Sequence, residues 1–573
     1  MKKALVLFLT LVVIGFALDR SQHRTQNVVV DPEANPVEVA RPPVINNPAP
    51  YSMPLIGRQA LIGWTHWDWQ YNGPCYTHCR YDPVANGIHC EWLYAATNPS
   101  TDRNQRYNFY DFTTRSWNWV EGLNTYTQRC GYGGMDYNPI TGCAVISTHI
   151  GPTGAINSFL ARDIAPGAGL FEYHGQLTGY QWSPVAVTNN QTCHVATIQT
   201  VDSDTLRYVR SQPWNTWSTP IYIPAPGYQT DFPDHNIAAS KTSNKVVVMW
   251  HLNWDNYPQR AFYRLSTDGG TTWDAQVQIP FPPSTGIVPG YDITSCFAMF
   301  DNADNLHFAL CVSDTGFTLP AEIWHYCPTN PQPWTLVHHY EADTLNAAVG
   351  YNAIFACRPT IAQNPATPTE YFVAWEQFDS LNFEASTVLA RADIHLAYLT
   401  NNGQTVFRKG RITDPNTLSK RFPCVGGVKN DTVFVEYIMD SIAGFNIQSQ
   451  GPATKNPVIC HFVYKNSLPL AGVEENPSNK IYNFELASPV PNPSKQQTRI
   501  NYSLSKAGNV DLTIYDILGR PVRTLITGSK NPGEYTAVWD SRDNTGNEVQ
   551  AGIYFYTLKT SDKSISRKLI RTY

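Results

Sequence analysis

The chain has 573 residues, too many for one ordinary core. Only 15% are charged and 13% are aromatic, with 42 Pro and 36 Gly. That profile excludes a coiled coil or a disordered acidic tail and fits strands joined by many turns, in two or more domains. The net charge of −5 comes with no basic stripe, so the electrostatic footprint of a nucleic-acid partner is missing.

The N-terminus reads MKKALVLFLTLVVIGFALDRSQ. Lys2 and Lys3 precede an apolar run from Ala4 to Phe16, and Gly15-Phe16-Ala17 offers a small-x-small cleavage site. Residues 1–17 are therefore expected to be a secretory signal peptide. The run is short for a transmembrane helix and no later stretch reaches that length, so no transmembrane span is expected. The mature chain is expected to be secreted or displayed on a bacterial cell surface. Residues 18–57 are polar and Pro-rich, a leader or linker with little capacity for a core.

Next comes WTHWDWQ. Trp64, Trp67 and Trp69 suit a strand that closes a ring by packing, or alternatively an exposed aromatic ledge for a sugar. The twelve cysteines fall between Cys75 and Cys460. In an exported chain they point to disulfides, although connectivity cannot be deduced. The densest group, CYTHCRYDPVANGIHC, holds Cys75, His78, Cys79, His89 and Cys90. Its spacings match no common zinc finger, so disulfides are the expectation there and no metal is assigned. Cys296 and Cys311 flank a predicted hairpin and could bond across it.

From about residue 58 a pattern recurs: a short polar approach often carrying Pro or Asp, an apolar strand, a turn, and a second apolar strand. It is legible in RYDPVANGIHCEWLYA, MDYNPITGCAVISTH, WSPVAVTNNQTCHVATIQ, DFPDHNIAASKTSNKVVVMWHL, YDITSCFAMFDNADNLHFALCV, CRPTIAQNPATPTEYFVAWEQF and RFPCVGGVKNDTVFVEYIM. These seven units recur at roughly fifty to sixty-five residues, the range of internal periods that signals propellers or arrays. Third strands with Arg or Tyr and then Trp follow several of them, as in LRYVRSQPWNTWS. Four strands per blade leave only short edges. A β-propeller is expected over 58–470, seven blades being the first expectation and six or eight the alternatives.

Within the fourth unit lies STDGGTTW, with Ser266, Asp268, Gly270, Thr272 and Trp273. Asp268 can bond the amides of its own turn, the glycines supply positive φ, and Trp273 can roof it. The stretch resembles the Asp-box of bacterial sialidases and other β-propellers. In that family these turns lie at the blade rim, so the resemblance implies a structural role for the five residues.

The repeat ends after ICHFVYKN at 459–466. Residues 471–483 read as a linker. Residues 484–573 then alternate as half-buried strands do, with Val510, Leu512 and Ile514 in one run and Tyr554, Tyr556 and Leu558 in another. A small Ig-like β-sandwich of about seven strands is expected. Pro491-Asn492-Pro493, IYDILGRPV with Tyr515, Asp516 and Gly519, Gly533-Glu534-Tyr535, AGIYFY, and a basic final strand with Arg567, Lys568 and Arg571 occur in order. This tail resembles the type A C-terminal sorting domain of the type IX secretion system. The resemblance implies an address read by the outer-membrane export machinery.

A propeller's functional surface is usually the mouth of its channel, reached by the loops that feed the inner strands. The residues there are Arg80 and Asp82, Asp136, Ser183, Asp231 with Asp234 and His235, Asp292, Arg358, and Arg421. The sialidase resemblance implies an arginine trio gripping a sugar carboxylate, a Tyr nucleophile paired with Glu, and an Asp acid/base. Arg80, Arg358, Arg421, Asp136 and Asp292 are the candidates, with Glu376 or Glu436 as the Glu. Against catalysis, the Arg-Ile-Pro sequence of that family is absent and no tyrosine can be assigned to either Glu. Trp64, Trp67, Trp69, Asp234 and His235 are the binding candidates. His338-His339 reads as packing or surface. No cofactor is implied, although Asp231, Asp234 and His235 could hold calcium. The leading expectation is recognition of an extracellular glycan or protein; the alternatives are a sialidase-type glycoside hydrolase and a structural surface-layer component.

Overall fold

Each repeated unit folds as an antiparallel hairpin, and in five of the seven the first polar side chain of the turn caps its own amides. Asp82 Oδ1 accepts from Val84 N at 2.7 Å, Asn138 Oδ1 from Ile140 N at 2.9 Å, and Asp301 Oδ1 from Ala303 N at 2.9 Å. The structure is a computed structural model that describes residues 56–572, apart from 71–76, 98–101, 152–155, 201–205, 213, 225–233, 252–259, 284–290, 315–318, 342–344, 352, 472–483, 490, 507 and 531–532. The expected signal peptide and nearly all of the expected leader fall outside the described residues, as do Cys75, Asp231 and the expected linker. Among the described residues there is no α-helix, only the 3-10 turn Lys465–Ser467.

The chain divides into two units, Met1–Ala471 and Gly472–Tyr573. The first is a β-propeller. Seven antiparallel sheets are present among its described residues, and the seven repeated units supply their two innermost strands. The inner strands are Cys79–Asp82, Met135–Tyr137, Val185–Val187, Asp234–Ala239, Tyr291–Phe300, Ala356–Gln363 and Ser419–Lys429. Each lies beside the next, and the last lies beside the first, so the cycle closes.

The closing strand is Arg58–Thr65, which pairs antiparallel with Asn456–Tyr464 as the outermost strand of the last sheet. The two ends of the repeat region are thereby joined in one sheet. The apolar core lies between sheets. Trp250, Val248, Tyr208 and Ala196 fill one gap, and Trp375, Ile361, Phe297 and Cys311 another. Trp92, Ile88, Phe434 and Phe462 fill the seam between first and last.

The second unit is a small Ig-like sandwich of a three-stranded and a four-stranded sheet. The two alternating runs do bury their predicted faces: Leu512, Ile514, Tyr556 and Leu558 pack with Ile500 and Trp539.

The cysteines depart from expectation. The eleven described cysteines are all buried, and no disulfide joins any two of them. Cys296 is opposite Leu310 and Cys311 opposite Ser295. Their side chains therefore leave opposite faces of the sheet, and each enters a different apolar core. Strand alternation is what rules out the cross-hairpin bond.

Candidate functional site

All seven inner strands contribute to one cavity of about 310 Å³ on the channel axis. Its wall carries Arg80, Asp136 and Lys241 among apolar neighbours such as Tyr137, Ile237, Met299 and Phe300. Pro83, Pro139, Asn302 and Pro365 place it toward the ends where the inner strands turn into the second strands. The expected mouth was at the opposite ends, where the feeding loops arrive. Several of those loops, including 71–76, 225–233 and 284–290, fall outside the described residues.

Asp136 organises the wall. Its Oδ2 accepts from the Val187 amide at 2.8 Å and from Lys241 Nζ at 2.5 Å. Arg80 Nε stands 3.8 Å from Oδ1 and its Nη2 donates to Thr77 Oγ1 at 3.1 Å. Lys241 also donates to the Val187 carbonyl at 2.7 Å. Burial pushes the Lys241 ammonium below its usual range, and Asp136 opposes that shift. Two cations thus share one carboxylate, which leaves the charged groups of the wall net positive.

Arg358 and Arg421 converge elsewhere, on Glu376. Arg358 Nη1 pairs with Oε1, Arg421 Nε lies 3.8 Å from Oε2, and the Phe422 amide donates to Oε2 at 2.8 Å. Glu376 is fully buried and Arg421 is 1% exposed. Phe445 lies under the Arg421 guanidinium at 3.9 Å, and Phe422 under that of Arg358 at 4.9 Å. Backbone at Arg358 and Phe422 is left-handed, with φ of 52° and 58°, where each bulged inner strand begins. The arrangement is a buried salt bridge centred on Glu376, in which Arg421 Nε and Nη2 make no hydrogen bond, and Arg80 is not part of it. Arg80 lines the axial cavity beside Asp136 instead, so the three arginines do not form one trio. Nor does a tyrosine pair with Glu376 or Glu436 among the described contacts.

The other candidates are placed as follows. Trp67 and Trp69 are buried, and Trp69 meets Phe445 edge-on at 4.6 Å, so they pack the seam rather than present a ledge. Trp64 is half-buried, with the Lys455 ammonium over its ring. Asp82 caps its turn and faces His89 at 3.3 Å; Ser183 bonds Thr197 at 2.6 Å. His235 Nε2 bonds the Trp182 carbonyl at 2.8 Å and is buried. Asp234 and Asp292 lie on inner strands, and their side chains fall outside the described residues along with Asp231. His338 stacks on Trp375 at 5.1 Å and His339 bonds Glu322 at 2.7 Å, so the pair belongs to packing.

In the turn 266–273, Asp268 accepts from the Thr271 and Thr272 amides at 3.0 and 2.9 Å and from Thr272 Oγ1 at 2.6 Å. Ser266 Oγ donates to Asp268 and accepts from the Gly270 amide at 2.8 Å. Trp273 packs on Tyr208 of the neighbouring sheet at 4.7 Å. In the tail, Asn492 Oδ1 accepts from Ile570 N at 2.8 Å, and the Pro491 carbonyl from Thr498 Oγ1 at 2.7 Å. Gly519 turns at φ 76° and Tyr535 stacks on Tyr502 at 5.3 Å. Gly533 pairs with Leu504.

Sequence reasoning missed Lys241, Asp68 and Asp440. Lys241 follows Ser240 at the end of the fourth inner strand, a place where the other units carry Pro or Asn; that change of residue type was the available signal. Asp68 and Asp440 are buried carboxyls near Arg421, and burial lifts them to about 6 and about 7. Asp68 accepts from the Asn446 and Ile447 amides, tying the segment after the closing strand to the last sheet.

Comparison with known proteins finds one family model that matches part of the chain. The FlgD Ig-like domain matches residues 492–564, within the second unit. No curated protein matches the chain. Among solved structures, a protein of unknown function from Dyadobacter fermentans is similar at 10% identity and TM-score 0.37, covering 70% of this chain and 99% of its own. Hadza microbial sialidase Hz136 is similar at 12% identity and TM-score 0.33, covering 64% and 74%. The α-L-arabinanase of Penicillium chrysogenum is similar at 12% identity and TM-score 0.30, covering 63% and 93%.

Proposed function

We propose that this is a secreted or surface-displayed seven-bladed propeller that recognises an extracellular glycan or protein, seating an acidic group of the ligand in the axial cavity. One observation carries the reading: a single cavity lined by every inner strand, with Arg80 and Lys241 about one Asp136. Guanidinium and ammonium groups on a partly apolar wall favour a carboxylate whose remaining surface is sugar ring or short aliphatic chain. The sialidase-type alternative requires Arg80 beside Arg358 and Arg421, and Arg80 stands with Asp136 instead.

The route outward belongs to the same proposal. The signal sequence carries the chain across the inner membrane, and the tail motifs address it to the type IX export machinery. Probing an array of acidic glycans, neutral glycans and acidic peptides with the full chain tests the recognition reading. Binding confined to acid-bearing ligands supports it; binding to neutral sugars alone overturns it.

A further inference from the structure

Sheet register places a second cluster in the seam behind the cavity wall, made of residues that the proposed recognition does not use. Cys79 faces Cys90 across the first sheet, while Cys424, Glu436 and Cys460 face one another across the last. Directly opposite residues of an antiparallel pair share a face. Both rows turn toward the seam, where Cys79, Cys90, Cys424 and Cys460 share one core with Trp92, Phe434 and Phe462. The ligand atoms of Cys79, Cys90 and Cys460 all lie within 4.8 Å of one another, and the Cys79 and Cys90 sulfurs are 3.5 Å apart. That spacing is far longer than an S–S bond and close to the separation of two thiolates on one tetrahedral ion.

Two further observations point to a ligand. The Glu436 side chain is 4% exposed, on the same face as Cys424 and Cys460, and its Oε2 has no hydrogen-bond partner. An orphaned carboxylate oxygen in such a place is costly unless something positive binds it. The backbone also makes room for the sulfur: a Cβ at Gly426 would fall 2.3 Å from Cys79 Sγ. Arg58 and Arg80 stand close enough to act on Cys460 and Cys79 electrostatically, which offsets part of the negative charge of a thiolate set.

We infer that Cys79, Cys90 and Cys460 hold a zinc ion that clasps the first sheet to the last, with Glu436, which lies outside that group of three, turning in as the fourth ligand. Three thiolates and one carboxylate complete a closed tetrahedral set of structural type. A disulfide uses only two of the three sulfurs and leaves both the third and Glu436 unsatisfied. The ligands come from residues 79, 90, 436 and 460, so metal binding ties the ring shut after the last sheet has formed.

The test is metal analysis of the purified full chain, followed by exchange of zinc for cobalt(II). One zinc per chain is expected, and cobalt should give a thiolate charge-transfer band with the intense visible bands of a tetrahedral ion. Cys460→Ser should abolish both signals, while Glu436→Gln should keep the charge-transfer band and shift the visible ones. If Cys460→Ser does not fold, stoichiometric zinc release from the native chain by a mercurial thiol reagent, read with a metallochromic dye, decides instead. Three results would overturn the inference: substoichiometric metal after refolding with zinc, a metal content unchanged in Cys460→Ser, or a disulfide involving Cys79, Cys90 or Cys460 in non-reduced peptide maps.

Discussion

Asp268 directs both carboxylate oxygens into its own turn, and Thr272, with hydroxyl and amide, is its main partner. Those bonds hold the acid down at about 2, against an ordinary value of 3.8. The sign follows directly: the contribution is present above pH 4 and is lost as pH falls through the folded value. Thermal unfolding of Asp268→Asn should therefore differ from the parent at pH 6 and converge with it near pH 2. A constant gap across that range would contradict this. Gly270 is needed for two reasons, since φ is 77° and a Cβ would meet the Tyr208 hydroxyl at 1.7 Å. Asp440 behaves oppositely. Burial raises it to about 7, so the folded state binds the proton more tightly than the unfolded state. Stability must then fall as pH rises from about 4 to 7, by up to ~1.4 kcal/mol per unit. Asp440→Asn should flatten that decline in denaturant titrations; an unchanged slope would show that Asp440 is not its source. The Asp268 turn was legible because every partner lies within five residues. Asp440 was not, because its environment depends on a fold-level neighbour, Asp68, hundreds of residues away in the chain.

At the scale of elements, the inner hairpins were readable because most couple a polar turn cap to two apolar strands, as in Asp301 before Leu306–Asp314. The outer strands were harder: Ser116–Trp117, Ile221–Tyr222 and Val277–Gln278 are each two residues long. Strands that short have no period to detect. The roles of tryptophans were readable only as alternatives, since burial, not residue type, separates a packed ring from a ledge. Trp375 is fully buried between two sheets. Trp375→Ala should lower stability by about 3–5 kcal/mol in denaturant titration. A loss under about 1 kcal/mol would mean the gap between those sheets is not packed as described.

At the scale of the molecule, two units divide the work proposed for the chain. The Ig-like unit is self-contained, with its own core around Trp539 and Leu512. If it is the export address, fusing residues 472–573 behind a signal peptide and a periplasmic reporter should move that reporter to the surface of a type IX-competent host. Retention in the periplasm would contradict the proposed route. Ile517 and Leu518 are 70% and 72% exposed at the tip of its Asp516–Arg520 turn, an apolar contact available to a receptor. Position along the channel was the part least legible in sequence. Arg80 lies near the turn end of its inner strand, whereas Arg358 and Arg421 lie near the starts of theirs, beside bulges, a shift along the channel that brings both guanidiniums to Glu376. No spacing rule reveals such a shift.

Recognition through the axial cavity is tested most directly by titration calorimetry of the strongest acid-bearing ligand from the array, against the full chain and Lys241→Ala. The account predicts saturable binding to the parent and at least about tenfold weaker binding to the variant, equivalent to ~1.4 kcal/mol. Equal affinity for both chains, or no saturable binding of any acidic ligand to the parent, would contradict it.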